Sequence, residues 1–407
     1  MAEAASQPLP VTVFLGGPPA LVLAAIAPLP ENVPELMLAS LIAGERLPQV
    51  GAPAGHPHSL LASAEFALLG EVAPHTRQPE GPFGDHYGYY SLRHDYPVFR
   101  VKTLAHRRDA IYPATVVGKP RQEDFFIGDL LQELLSPLFP LVMPAVQQLW
   151  SYGETGYHSL AAAVVKQRYT RESMASAFRI LGEGQLSLTK FLLLTDSAVD
   201  VKDFRATLEH VLARTSPATD LYVFSNLAMD TLDYTGPVVN EGSKGVWLGV
   251  GDPVRELPRE FRPSSPLPRD IHDARVFCGG CLVVGGPHFA EDPNAADRLA
   301  LAPALAEWTL VVLSDDPERA TRSVMNFLWT TFTRFEPAAD IYAAGRQLRR
   351  NHVSYTPPIV IDARMKPWYP EEVSCRPDIA ATVTARWSEY FPSRPVEMGD
   401  SERGHLD

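Results

Sequence analysis

The sequence predicts an α/β protein, and three observations carry that reading. Short strand-like runs, VTVFL (11–15), VFRVKTLAH (98–106) and LTKFLLLTD (188–196), alternate with segments of helical period. The run 188–196 is strongly apolar and closed by Asp196, the pattern of a central strand. A strand, acidic turn and helix then occur twice in the second half. Together these predict a split-barrel-like region to about residue 120 and a layered α/β C-terminal domain with mixed sheet.

Taken in order, the apolar run 11–30 is interrupted by Gly16, Gly17, Pro18 and Pro19, which makes it a buried strand, a turn and a short apolar helix. A helix is expected around 35–43, a second apolar helix around 60–69, a loop at EGPFGD (80–85) and the strand 98–106. Beyond Gly118, a helix starts at Glu123 or Asp124 with Leu130, Leu131, Leu134 and Leu135 on one face, and it ends before Pro137. SLAAAVVKQ (159–167) reads as a strand and RESMASAFRIL (171–181) as an amphipathic helix. The expected divisions are 1–120, a connecting segment 121–175, and a C-terminal domain 176–407 built on two related strand–helix units.

Those units are 190–222 and 308–342. Arg214, Pro217 and Asp220 in the first match Arg334, Pro337 and Asp340 in the second at the same spacing. Two copies are too few for a solenoid, and each Arg is expected to pair with its Asp and fix the turn between them.

Composition narrows the function classes. The chain has 407 residues, ordinary hydrophobic content and 38 prolines, which imply many ordered turns. A formal charge of -12 argues against nucleic acid as a partner, because a phosphate-backbone binder carries a basic patch. No segment reads as a targeting peptide or membrane span. Three cysteines are too few for a disulfide framework and point to a reducing cytoplasm. Cys278 and Cys281 form a CxxC that is either a redox pair or half a zinc site, but the flanking Val and Leu favour a buried strand. His56, His58, His75, His94 and His106 lie among prolines and arginines without ligand spacing and read as solvated loop residues.

The stretch EGPFGDHYGYY (80–90) places Glu80 and Asp85 about a Pro-Phe-Gly turn, followed by His86 and three tyrosines. Its glycines and proline suit an exposed turn. Its density of titratable groups equally suits acid–base chemistry.

This stretch, with the following strand and VVGKPRQED (116–124), resembles the signature of the UbiD-like decarboxylases, which use prenylated FMN. FLGGPPALVLAAIAPLPENVPE upstream and NLAMDTLDYTGPVVNEGSKGVW downstream resemble further family segments in the same order. The resemblance implies a non-oxidative decarboxylase or carboxylase of an aromatic or α,β-unsaturated acid, with quinone biosynthesis as a candidate setting. It implies that Glu35 is the acidic ligand of a divalent metal, Mn or Mg, at the flavin phosphate. It also implies that the backbone of Ala24, Ala25, Ala27 and Pro28 lines the flavin and a monovalent cation, potassium.

Glu80 and Asp85 match the family's two carboxylates, with Asp85 as proton donor and Glu80 orienting the site. Loss of CO₂ leaves an electron-rich carbon that must be protonated, and two carboxylates held together favour retention of a proton by one of them. Where some members carry a flavin-facing Lys and Tyr, this chain has Glu183 and Leu186. Family members also use a preceding stretch that brings an Asn, a His, an Arg beside the carboxylates and much of the flavin pocket. Those groups are expected to come from a separate chain, to be lost, or to be missing through a truncated reading frame. The expected partners are that separate chain in the first case, a flavin prenyltransferase as cofactor supplier, and further copies in a homo-oligomer. The alternative is a non-catalytic paralogue that binds a complete partner as an interaction protein.

Overall fold

The computed structural model describes residues 2–27, 29, 32–53, 55–119 and 121–393. Contacts divide the chain into two compact units: Met1–Gly84 with Tyr90–Val117, and Asp85–Tyr89 with Gly118–Asp407.

The first unit is built on a three-stranded antiparallel sheet. Its strands are β1 (Leu9–Leu15), β4 (Phe66–Glu80) and β5 (His94–His106), with β4 in the middle. A two-stranded ribbon joins β2 (Gln49–Val50) to β3 (Leu60–Leu61). The helices Pro19–Ala25 and Glu35–Ala43 lie where the sequence puts them, the second closed by Gly44 in the left-handed conformation. The helix expected around 60–69 is instead β3 and the start of β4. The apolar run is misleading because strand and buried helix look alike over so few residues. Ala67 and Leu69 are buried while Phe66 and Leu68 are partly exposed, the period-two pattern of a strand paired on both sides. The unit's buried core is small, centred on Leu60, Ala67 and Leu69, and the helix Glu35–Ala43 leaves Met37 and Leu41 exposed.

The second unit contains two five-stranded mixed sheets of the same topology. The first has the order β6 (Val146–Ser151), β7 (Leu160–Val165), β8 (Phe191–Thr195), β10 (Glu241–Gly249), β9 (Leu221–Ala228). The second has the order β11 (His272–Cys278), β12 (Cys281–Gly285), β13 (Leu310–Ser314), β15 (His352–Asp362), β14 (Ile341–Arg349). In both, the pairings run antiparallel, parallel, parallel, antiparallel. The run 188–196 is indeed the middle strand of its sheet. The strands β6 and β7, from the segment read as connecting, belong to this sheet as well.

The duplication extends to individual hydrogen bonds. Gly251 N–H donates to Asp196 at 2.9 Å and Met365 N–H to Asp315 at 2.7 Å. Ser216 N–H donates to Asp220 at 2.7 Å and Glu336 N–H to Asp340 at 2.8 Å. The expected Arg–Asp pairs therefore do not form. Each Asp caps the backbone of its own short turn, Arg214 donates to Gly251 O, and Arg334 bonds Glu372. Each carboxylate also takes a different cation, Arg171 for Asp220 at 2.6 Å and Lys366 for Asp340 at 3.1 Å, which leaves Arg214 and Arg334 available elsewhere. One core serves both copies, with Phe204 of the first against Phe277 and Phe327 of the second at 6.1 and 5.9 Å between centroids.

The helix Glu123–Leu135 starts and stops as expected, but it buries Phe125 and Leu131 and exposes Phe126, Leu130 and Leu134. With the short turns that follow, Glu123–Val142 is long and apolar enough to cross a membrane by length and composition alone. Pro137 and Pro140 break it, and Glu123, Asp124, Asp129 and Glu133 lie within it.

Candidate active site

The stretch 80–90 is divided between the two units. Glu80 ends β4 in the first unit, exposed, opposite His94 in the ladder with β5. Phe83 and Ser91 form a neck there: Ser91 N–H donates to Phe83 O at 2.7 Å and Phe83 N–H to the Ser91 hydroxyl at 3.1 Å. The five residues Asp85–Tyr89 pack as part of the second unit.

There the segment is a clamped turn. Asp85 N–H donates to Tyr89 O at 3.1 Å, and Gly88 N–H to Asp85 O at 2.9 Å. Gly88 has φ +86, and a Cβ on it would lie 3.0 Å from the Trp329 indole nitrogen, so glycine suits this position twice over. That nitrogen donates to Tyr87 O at 2.8 Å. Tyr89 stacks on Trp329 at 5.0 Å, and its hydroxyl meets Thr333 at 2.9 Å and receives Arg334 Nε at 3.1 Å.

Behind this turn, Glu372 takes a bidentate pair from Arg319 at 3.0 Å, together with Arg334 Nη2 and Lys119 Nζ at 2.7 Å each. Burial pushes the Glu372 carboxyl up, but hydrogen bonds from Arg319 and Lys119 and the charge of Arg334 pull it down to about 2.

Asp85 meets its neighbour. His86 donates its backbone N–H to Asp85 Oδ1 at 2.8 Å and places ring Nδ1 at 3.2 Å from the same oxygen. Burial lowers the imidazole's pKa, but the Asp85 bond and charge, with the charges of Asp230 and Asp124, more than reverse this, so it ends above its ordinary value. Asp230 in turn receives a short hydrogen bond from His158 and a weak one from the Tyr87 hydroxyl at 3.4 Å. Burial raises Asp230, and His158 overcomes it, holding the carboxyl below the usual range.

The motif DTLDYTG, with GSKG after it, supplies the floor of this region. Asp233 pairs with Lys190 at 2.7 Å, both almost fully buried, and accepts Thr235 Oγ1 at 2.6 Å. Lys244 donates to Thr189 O at 2.9 Å, and burial lowers its pKa to about 8.

Asp85 stands out in the sequence by its motif, whereas His158 and Asp230, which meet the turn at Tyr87, do not. They stand 72 residues apart with no fixed spacing, so only the fold joins them.

The remaining predicted residues lie in the first unit. Glu35 opens its helix, exposed; Ala24 and Ala27 are buried and Ala25 is exposed. Pro28 lies outside the described residues. Leu36 lines a groove of about 520 Å³ with Val11, Thr12, Phe14 and His58. Thr12 Oγ1 lies 2.7 Å from His56 Nε2 and 3.2 Å from His58 Nδ1, so these two histidines are tied to β1.

The groove has room for a planar ring system, but no Lys or Arg is among its lining residues to hold a phosphate. Among the described residues no group of three His, Cys, Asp or Glu is placed to hold a metal ion. A hard cation needs several oxygen ligands, so the described residues do not by themselves fit the metal–phosphate part of the cofactor site.

Residues 1–120 match the family described as 3-octaprenyl-4-hydroxybenzoate carboxy-lyase Rift-related domain, and residues 125–249 match its C-terminal domain. The chain belongs to the UbiD family, whose members are decarboxylases.

Among curated relatives it is 54% identical to an uncharacterized protein of Chlamydia trachomatis, over 96% of this chain and 67% of that one. It is 51% identical to a protein of Chlamydia pneumoniae named as a subunit of 4-hydroxybenzoate decarboxylase, over 97% of this chain and 66% of that one. The chain thus spans about two thirds of the length of these relatives.

Among solved structures, the closed form of Sedimentibacter hydroxybenzoicus vanillic acid decarboxylase matches with a TM-score of 0.58 at 24% identity, covering 65% of this chain and 56% of that one. The UbiD-class enzyme HmfF from Pelotomaculum thermopropionicum, in complex with FMN, matches at 0.53 and 23%, covering 62% and 56%. These likenesses speak to the fold.

Proposed function

We propose that this chain is the larger part of a non-oxidative decarboxylase of an aromatic carboxylic acid, in which Asp85 delivers the proton that replaces CO₂. The observation that carries the reading is the clamped turn Asp85–Tyr89. Its backbone is held by the Trp329–Tyr87 bond and by the salt cluster around Glu372, and an imidazole meets its first carboxylate, so Asp85 is fixed in place. Cleavage of the carbon–carboxylate bond leaves an electron pair on carbon, and a carboxylic acid held at one position is suited to protonate it. His86 holds Asp85 on one side. Glu80, on the strand before the turn, orients substrate or a partner cation.

Prenylated FMN, a divalent metal at Glu35 and a potassium ion beside Ala24, Ala25, Ala27 and Pro28 belong to this proposal, completed by a further segment that brings phosphate and metal ligands. Support comes from the groove beside Leu36, whose lining holds no Lys or Arg, from the relative named as a subunit, and from a structural neighbour solved with FMN. A hydroxybenzoate is the substrate class the name of that relative supports, and quinone biosynthesis is one setting for it.

A second reading, a non-catalytic partner subunit, draws on the lack of a ligand cluster around Glu35 among the described residues. One experiment separates them: the chain is co-expressed with a flavin prenyltransferase and the family's preceding segment, and CO₂ release from 4-hydroxybenzoate is followed. Release that depends on this chain supports the enzyme. Full flavin occupancy with no release from a panel of aromatic and unsaturated acids supports the partner.

A further inference from the structure

We propose that Cys278 and Cys281 are a thiol-modification site, a dithiol that a low-molecular-weight disulfide converts to a disulfide within one hairpin. The sequence puts the pair inside one buried strand. The fold instead ends β11 at Cys278 and starts β12 at Cys281, and the ladder sets the two residues directly opposite each other across Gly279–Gly280. Opposed residues of antiparallel strands have Cα atoms roughly 4.5–5.5 Å apart, inside the span of roughly 4.4–6.8 Å that a disulfide bridges. Gly280 takes φ +77 in the turn, a backbone that favours glycine.

The turn is held from outside by Gly279 N–H to Glu209 at 2.7 Å and Gly280 N–H to Pro258 O at 2.9 Å. Both thiols are free, and burial, with contact from the Cys278 thiol, pushes the Cys281 thiol up.

The two cysteines are not equivalent. Cys278 keeps 7% of its surface while Cys281 has none, and Arg259, paired with Glu209, stands at the turn. Cys278 is therefore the attacking sulfur and Cys281 the resolving one. The Cys278 thiolate attacks one sulfur of the small disulfide and expels the other as a thiol. Cys281 then gives up its proton, attacks Cys278 Sγ and expels the second thiol. Two protein thiols are oxidised, one small disulfide is reduced to two thiols, and the chain loses two hydrogens.

Cys375 is exposed and is removed first as Cys375→Ser, so that only this pair can react. The folded variant is incubated with oxidised glutathione and its intact mass and free thiols are measured. The expected result is loss of two hydrogens and of both titratable thiols, with no retained glutathione. The added change Cys281→Ser should instead trap a glutathione adduct on Cys278. If the folded protein keeps both thiols while the same chain in denaturant is oxidised, the proposal is wrong. It is equally wrong if the double variant stays unmodified, or if Cys278 holds glutathione with Cys281 intact.

Discussion

The ring Nδ1 of His86 lies 3.2 Å from Asp85 Oδ1, while the His86 backbone N–H donates to that same oxygen at 2.8 Å. One residue thus fixes its neighbour's carboxylate through main chain and side chain together. The imidazole in turn owes its raised pKa to the carboxylates around it, Asp85 first and then Asp230 and Asp124, acting against burial.

Asp85→Asn should therefore lower the titration midpoint of His86, because the amide keeps a hydrogen bond and removes the charge. The sign follows from linkage. A histidine with a raised folded pKa adds stability that is fully present below its unfolded value of about 6.5 and is lost as pH rises through the folded value. In Asp85→Asn that part of the pH dependence should shrink. Histidine resonances followed by NMR across pH 5–9 on this chain check it, and an unmoved midpoint would separate His86 from Asp85.

Glu372 carries the opposite dependence. Its carboxyl is lowered from 4.5 to about 2, so the stability it contributes is present above 4.5 and lost as pH falls towards 2. The side chain is only 24% exposed, so the shift corresponds to about 3 kcal/mol. Glu372→Gln should lose a comparable amount at neutral pH and flatten stability between pH 5 and 2. Urea unfolding of both proteins at several pH values measures this.

Lys190 and Asp233 form a buried pair, 1% and 3% exposed. Lys190→Met strands a carboxylate in the core and should cost ~3–5 kcal/mol. Lys190→Met with Asp233→Asn should cost clearly less than the sum of the single changes. A double-mutant cycle by urea unfolding gives the coupling, and additive losses would mean that the pair does not interact.

Much of this fold is legible in the sequence where one physical signal dominates. The apolar run before Asp196 reads as a central strand and forms one, and Pro137 stops the helix Glu123–Leu135 for a local steric reason. The repeat is visible through Arg-x-x-Pro-x-x-Asp, although its carboxylates cap backbone where the spacing suggests ion pairs. At 60–69 the signal is ambiguous, because leucines and alanines suit either element and pairing on both sides decides for β4. The loop at Asp85 is conspicuous from its composition. Its supports, Trp329, Arg334, Glu372, His158 and Asp230, come from distant segments whose convergence no local spacing records.

Trp329→Phe tests whether that support matters. It keeps the stack on Tyr89 and removes the donor to Tyr87 O. An unpaired buried carbonyl costs roughly 1–3 kcal/mol, so overall stability should fall by that order. Amide hydrogen exchange at residues 85–89 should rise more than in β8. Equal changes in both places would mean that the bond does not serve the turn.

The proton that replaces CO₂ is proposed to come from Asp85, and turnover reads this most directly. The measurement is CO₂ release from 4-hydroxybenzoate by the completed, flavin-loaded enzyme, comparing wild type with Asp85→Asn at equal flavin occupancy. The expected result is a loss of about 10²–10⁴-fold in turnover with fold and occupancy retained, since an amide cannot donate a proton as a carboxylic acid does. Turnover equal to wild type at full occupancy would contradict it and leave Asp85–Tyr89 as a structural turn.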